Sequence, residues 1–351
     1  MSAGWKRAVR WTLILLMVPV VLGLGGWVWW SGMDFSHHGG DRSSARSDLA
    51  WLPTSAEPPR GRILAVVTSA ADLLDGPGGG GYELTELSRA HWVFEAAGYA
   101  VDLASPAGGE APRVLDGGMI DADYAYLNDP ATSAAMAATL RLADIDPTHY
   151  DAVWVVGGKG AMIDLHGNPE LARIISAVYR DGGVIAAVCH GPAALLGVEI
   201  APGQTLLAGR RVTGFSNAEE LFLMEDAVAR LGFLLQDALD AEGEFSEGPM
   251  YMEHIVADGR VLTGQNPWST WALAEATVRA LGAEPAARPQ SPEERAIDLL
   301  QVYEHRGFDA ARTAKAGLGP VDNVLVMMHG VVAAMRGDLI RAAALLRLAR
   351  A

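Results

Sequence analysis

The sequence predicts a three-layer α/β/α sandwich built on a mostly parallel sheet. Two patterns carry that expectation. Short β-branched runs alternate with stretches whose apolar residues recur at helical spacing. Single helices between strands demand crossover connections, and these give parallel sheets covered on both faces. In such sheets ligands gather at the carboxyl ends of the strands. The sole cysteine, Cys189, lies at one of those ends.

Arg62-Ile-Leu-Ala-Val-Val-Thr68 reads as a buried first strand, closed by an Asp/Gly/Pro-rich loop. Glu83 to Ala97 has helical spacing (Leu84, Leu87, Ala90, Val93, Phe94, Ala97) and stops at Gly98, a natural C-cap. Residues 99–104 form the second expected strand. Residues 105–150 read as an insertion over the sheet edge, with a helix near 131–143. A strand over 151–156, a helix over 168–181 and a strand over 184–188 follow. Two more pairs are expected, from 211–213 with a helix over 217–230 and from 260–263 with a helix over 268–281.

Half of the 351 residues are hydrophobic and 20% are charged, as for a packed globular chain. The net charge of −15, without a basic stripe, argues against nucleic-acid binding. Residues 11–30 hold no charge and are bounded by Trp11 and by Trp27, Trp29 and Trp30. That length spans a hydrocarbon layer of ~30 Å. Lys6, Arg7 and Arg10 precede it. The expectation is an uncleaved transmembrane helix within a 1–30 anchor contacting the lipid bilayer, its N-terminus inside and the catalytic domain on the extracytoplasmic side. A cleaved signal peptide is the competing reading, although Trp29-Trp30-Ser31-Gly32-Met33 lacks a small-x-small site. Residues 31–61 read as a flexible tether, 62–283 as the catalytic domain, and 284–351 as a helical C-terminal extension.

One cysteine excludes an intramolecular disulfide framework and a cysteine-based zinc cluster. Alone it would read as a small buried hydrophobe. Its neighbours favour chemistry: Val184–Val188 is a strand, and Gly191-Pro192-Ala-Ala suits the first turn of a helix. A side chain at such an elbow projects into the cleft above the sheet. The N-terminus of the helix expected near Gly191 would lower the thiol pKa and favour the thiolate. His190 supplies an adjacent acid or base.

The run Ala187-Val-Cys-His-Gly-Pro-Ala-Ala-Leu-Leu196 resembles the nucleophile elbow of the ThiJ/PfpI superfamily, within the class I glutamine amidotransferase-like, flavodoxin-like fold. The resemblance is strongest to the glyoxalase III-type and heat-shock-chaperone branch. It extends through Gly81-Tyr-Glu-Leu-Thr-Glu86, residues 101–109, Gly157-Gly-Lys-Gly-Ala-Met162, Thr213-Gly-Phe-Ser-Asn-Ala-Glu-Glu220 and residues 262–267. By motif position it implies that Glu86 is the acid in contact with the thiol, with Glu83 as the neighbouring alternative. A carboxyl beside a thiolate should have a raised pKa. It also implies a Cys189–His190–Glu220 triad, with Glu219 one residue away and able to exchange roles. The Gly158 and His190 amides are expected to form an oxyanion hole. Lys159 stands where relatives commonly carry histidine, and reads equally as pocket charge or as an exposed loop residue.

Gly78–Gly81 matches neither a phosphate loop nor a dinucleotide fingerprint and reads as a flexible loop at the entrance. Neither an organic cofactor nor a metal is expected. Ser291-Pro-Glu-Glu294 marks a helix start, and Val324–Ala334 a second apolar stretch. A helical hairpin packed on the body, or on a partner subunit in a homodimer, is the expectation. The resemblance implies a glutathione-independent, glyoxalase III-like conversion of methylglyoxal or a related small 2-oxoaldehyde to a hydroxyacid. The alternative is a protein-quality role (chaperone, deglycase or peptidase) on damaged protein. A glutamine amidotransferase is disfavoured, since its distant His-x-Glu is replaced here by Met252-Glu-His-Ile255.

Overall fold

The alternation of apolar runs resolves into a seven-stranded sheet. We describe the protein from a computed structural model, which covers residues 31–54, 58–115 and 117–351. The strands are β1 (Gly61–Val66), β2 (Tyr99–Ser105), β3 (Leu140–Arg141), β4 (Ala152–Val155), β5 (Val184–Val188), β6 (Ile255–Asp258) and β7 (Val261–Gly264). Their spatial order is β6-β7-β5-β4-β1-β2-β3, and every pairing except β6 with β7 is parallel. Strands β4 and β5 are buried at every residue, as their unbroken apolar sequences require.

The main helices of this unit are α1 (Leu84–Ala96), α2 (Asp121–Asn128), α3 (Pro169–Arg180), α4 (Asn217–Leu223) and α5 (Thr270–Ala280). Asn168 caps α3 by accepting from the Glu170 and Leu171 amides, and Pro169 occupies its first turn. The step from β1 through α1 to β2 runs one way across the sheet; the step from β4 through α3 to β5 runs the other. Right-handed crossovers of opposite direction place α1 and α3 on opposite faces. The order reverses between β1 and β4, so a ligand crevice is expected at their carboxyl ends.

Several expected elements differ. Arg211–Val212 does not join the central sheet but pairs with Glu244–Phe245. Residues 217–230 split into α4 and Ala227–Leu231. The insertion over 105–150 supplies the edge strand β3 as well as α2 and the helix Pro130–Ala137. Gly76–Gly79 pairs with Asp72–Leu73 in a hairpin rather than forming an open loop.

The described chain divides into two compact units, residues 39–289 and residues 31–38 with 290–351. Part of the stretch expected as a flexible tether packs against the body. Within the larger unit Leu49 and Leu52 are buried, and Asn128 Nδ2 donates to the Arg42 and Ser44 carbonyls at 2.9 Å. The smaller unit holds α6 (Pro292–Lys315), α7 (Asn323–Met335) and α8 (Leu339–Arg350). Ser291 and Glu294 form a reciprocal capping box at α6, and the helix breaks at Gly307, where φ is +79°. Helices α7 and α8 form a hairpin, whereas the sequence expectation paired the helix starting at Ser291 with a single stretch running from Val324 to Ala351. Lys315 Nζ donates to the Leu348 and Ala349 carbonyls at 2.8 and 3.1 Å, satisfying the C-terminus of α8.

Among the described residues no helix is long and apolar enough to cross a membrane. The longest, α6, has 24 residues but is studded with Arg, Glu and Asp. The span expected at 11–30 lies outside the described residues. The expected single-pass, bilayer-held placement with an extracytoplasmic catalytic domain is therefore corrected: no described helix supplies a span, and membrane attachment has no part in the functional reading below.

Candidate active site

Cys189 follows β5 directly and takes φ of +59°, a left-handed conformation that costs a non-glycine residue of order 1–3 kcal/mol. Hydrogen bonds on both sides hold it there. Its N–H donates to the Gly264 carbonyl at 2.9 Å, and its carbonyl accepts from the Phe215 amide at 2.8 Å. The elbow expected from sequence is thus present. The helix expected after it is one short 3-10 turn, Gly191–Leu195. So brief a turn has few aligned peptide dipoles with which to stabilise a thiolate.

The imidazole of His190 bridges two groups. Nδ1 lies 3.3 Å from the Cys189 sulfur, and Nε2 lies 2.6 Å from Glu220 Oε2. Burial favours the neutral form of Glu220, but the imidazole's charge and hydrogen bond, with a contribution from Lys159, outweigh it and hold the carboxyl below its ordinary range. An ionised Glu220 selects the tautomer protonated at Nε2 and leaves Nδ1 to accept from the thiol. Phe215 packs on the ring, with centroids 4.6 Å apart.

Glu219, the alternative acid, is occupied elsewhere. Its Oε2 accepts from Ser216 N and Oγ at 3.0 and 2.9 Å, closing the cap of α4. Its Oε1 accepts from the Tyr251 amide and from Asn266 Nδ2 at 2.7 and 2.9 Å. Of the two neighbours, Glu220 is the one that meets His190.

Glu86 stands in the first turn of α1, fully buried. Its Oε2 accepts from the Gly157 amide at 2.7 Å, while Oε1 is buried without a hydrogen-bond partner. Burial, then the charge of Glu83, push this carboxyl well above its ordinary value; the Gly157 amide and the neighbouring Cys189 thiol only partly oppose them. Glu83 is the N-cap residue of α1 and lines the cavity described below. Gly157 is required between them, because a Cβ there would come within 2.6 Å of Glu86 Oε2 and 2.8 Å of Cys189 Cβ.

The Gly158 amide is directed at the sulfur, and its φ of +94° is open to glycine. Burial, followed by the charges of Glu86 and Glu83, push the thiol well above its ordinary value, against the pull of that amide. This reverses the low pKa expected from a helix N-terminus. Two negative charges, on Cys189 and Glu86, are mutually unfavourable in so dry a site, so the pair loses its protons one at a time. Alkylation of Cys189 by iodoacetamide should therefore continue to accelerate with pH beyond the ordinary thiol midpoint of roughly 8.5. The Glu86→Gln variant should shift that midpoint downward. A wild-type midpoint below neutrality would contradict this electrostatic account.

Cys189 and His190 open on a cavity of about 350 Å³ whose lining includes Lys159, Phe215, Tyr251 and Trp268. Tyr251 is the other described non-glycine residue with positive φ, at +57°. The two residues with strained backbone line one cavity, and such strain often clusters at functional sites. The sequence did not single out Phe215, Tyr251 or Trp268. The Gly78–Gly81 run, expected at the entrance, is not among the lining residues. No group of metal-ligating side chains occurs among the described residues.

A cysteine, an imidazole and two differently tuned carboxyls meet at the carboxyl edge of the mostly parallel sheet of an α/β protein, at a tight strand-to-turn elbow. The chain belongs to the DJ-1/PfpI family, whose model matches residues 79–280, more than half its length. Glyoxalase 3 of Candida albicans is 32% identical over 203 residues, covering 54% of this chain and 84% of that protein. Glutathione-independent glyoxalase HSP31 of Saccharomyces cerevisiae is 27% identical over 232 residues, or 63% of this chain and 98% of that one. Among solved structures, Rapid Encystment Protein 24 kDa of Francisella tularensis aligns with a TM-score of 0.59 at 30% identity, covering 63% of this chain and 99% of its own. The crystal structure of glyoxalase III from Candida albicans aligns at 0.57 and 27% identity, with coverages of 63% and 97%.

Proposed function

We propose that this chain converts methylglyoxal or a related 2-oxoaldehyde to the corresponding hydroxyacid, without glutathione, by addition of Cys189 to the aldehyde. The observation that carries this reading is the relay from the Cys189 sulfur through His190 to Glu220, with the protonatable Glu86 on the sulfur's other side. The relatives named as glutathione-independent glyoxalases support the same reaction class.

The geometry supports the following steps. His190 Nδ1 accepts the thiol proton as sulfur adds to the aldehyde carbon, which offsets the unfavourable free thiolate. The amides of Gly158 and His190 stabilise the alkoxide, and protonated Glu86 delivers its proton to form the hemithioacetal. That transfer leaves Glu86 as a carboxylate. Its carboxylate removes the proton from the former aldehyde carbon and returns it to the adjacent carbon, while the hydroxyl proton passes between the neighbouring oxygens. The product is an enzyme thioester. Water supplies a hydroxyl group to the acyl carbon and a proton to Glu86; the leaving sulfur recovers its proton from His190. The balance is one 2-oxoaldehyde plus one water to one hydroxyacid, with no redox partner.

The full-length protein, assayed with methylglyoxal and no glutathione, is expected to form lactate in step with aldehyde loss. Glu220→Gln should lower kcat by roughly 10²–10⁴-fold, since the imidazole then loses its orienting charge. Aldehyde loss without lactate, or full activity in Glu220→Gln, would count against the reading. Cys189 and His190 are each only 3% exposed, and so buried a reaction centre favours a small carbonyl over a polypeptide substrate.

A further inference from the structure

We propose that Lys159 selects 2-oxoaldehydes that carry an anionic group on the side of the ketone away from the aldehyde, a carboxylate being the simplest. The inference rests on the glyoxalase reading and narrows its substrate class.

Lys159 is one of three lysines in a chain of net charge −15, and it lines the cavity that holds Cys189 and His190. Among the described residues its ammonium has no hydrogen-bond or salt-bridge partner. It is nonetheless close enough to the relay to help hold Glu220 below its ordinary range. Glu220 itself is committed to His190 at 2.6 Å. A half-buried cation without a direct ion pair beside a reaction centre is a site for a ligand anion, because a partner there exchanges less hydration than one in bulk solvent. Glu83, the acid lining the same cavity, disfavours an anion on its own side and so leaves Lys159 as the place for one.

The volume points the same way. About 350 Å³ corresponds to roughly a dozen water molecules at ~30 Å³ each. Methylglyoxal fills only a fraction of that space. Phe215, Tyr251 and Trp268 offer apolar walls for a longer carbon chain. A substrate reaching from the sulfur to Lys159 uses both the room and the charge, whereas methylglyoxal uses neither.

The test compares carboxyethylglyoxal with (3-methylbutyl)glyoxal, two 2-oxoaldehydes of equal heavy-atom count and similar shape that differ in the terminal charge. Wild type should favour the carboxylate by about tenfold or more in kcat/KM, mainly through KM. Lys159→Met should abolish the preference, and Lys159→Arg should restore most of it. Because Lys159 also bears on Glu220, the ratio between substrates is the readout; it cancels any loss common to both. Equal use of the two compounds by wild type, or a preference that survives in Lys159→Met, overturns the proposal. Failure of wild type to convert any 2-oxoaldehyde, methylglyoxal included, would instead remove the underlying glyoxalase reading.

Discussion

Cys189→Ala is expected to lower methylglyoxal conversion by at least about 10⁴-fold while leaving the fold intact. In the proposed mechanism the sulfur bonds to substrate, and removing a nucleophile from a unit of cooperating groups costs nearly the whole catalytic effect. Alanine keeps the Cβ, so the left-handed backbone at 189 and its hydrogen bonds to Gly264 and Phe215 are not disturbed. The lost sulfur contacts should cost about 1 kcal/mol of stability. Steady-state lactate formation, with thermal unfolding as the control, measures both. Retention of more than a few per cent of activity in a folded variant would exclude Cys189 as the bond-forming atom.

Glu86→Gln is expected to lose about 10²–10⁴-fold in kcat and yet be more stable than wild type at neutral pH. The loss follows because an amide cannot take the proton from one substrate carbon and return it to the next. The gain follows from linkage. The folded pKa of Glu86 is raised above its ordinary value of 4.5, chiefly by burial. The unfolded carboxyl therefore releases its proton more readily, and wild type loses stability as pH climbs from 4.5 toward the folded value. Glutamine does not titrate, and its amide oxygen can still accept from Gly157. The difference in Tm should be small near pH 4.5 and grow with pH. Glu220 acts in the opposite sense: its folded pKa is depressed, so its contribution is present above 4.5 and is lost as pH falls through the folded value. A Glu86→Gln variant that is destabilised at neutral pH, or whose Tm difference from wild type does not vary with pH, would contradict the raised carboxyl.

What the sequence disclosed depended on whether the signal was local. The apolar runs of β1, β4 and β5 and the small residues after Val188 placed the cysteine at its elbow. The acceptors that shape its chemistry arrive from distant segments. Which acid meets His190 was nonetheless written locally: Ser216-Asn-Ala-Glu219 is a capping box, which commits Glu219 to the helix start and leaves Glu220 to the imidazole. Strand β6 also had a signal, since Asp258-Gly259 opens the tight turn into β7. The two-residue strand at Arg211–Val212 had too little sequence to reveal its partner. The thiol pKa departs from the expected direction chiefly because the sulfur is buried, then because Glu86 and Glu83 stand near it, while the helix after Cys189 is only a single short turn. Phe215, Tyr251 and Trp268 meet only through tertiary packing, and no spacing rule brings them together.

Acid-quenched peptide mass spectrometry of the full-length protein during methylglyoxal turnover addresses the mechanism at its first bond. The account predicts a transient lactoyl-mass adduct on the peptide carrying Cys189, forming and decaying at least as fast as lactate appears. Undiminished turnover with that peptide unmodified at every time point would contradict it.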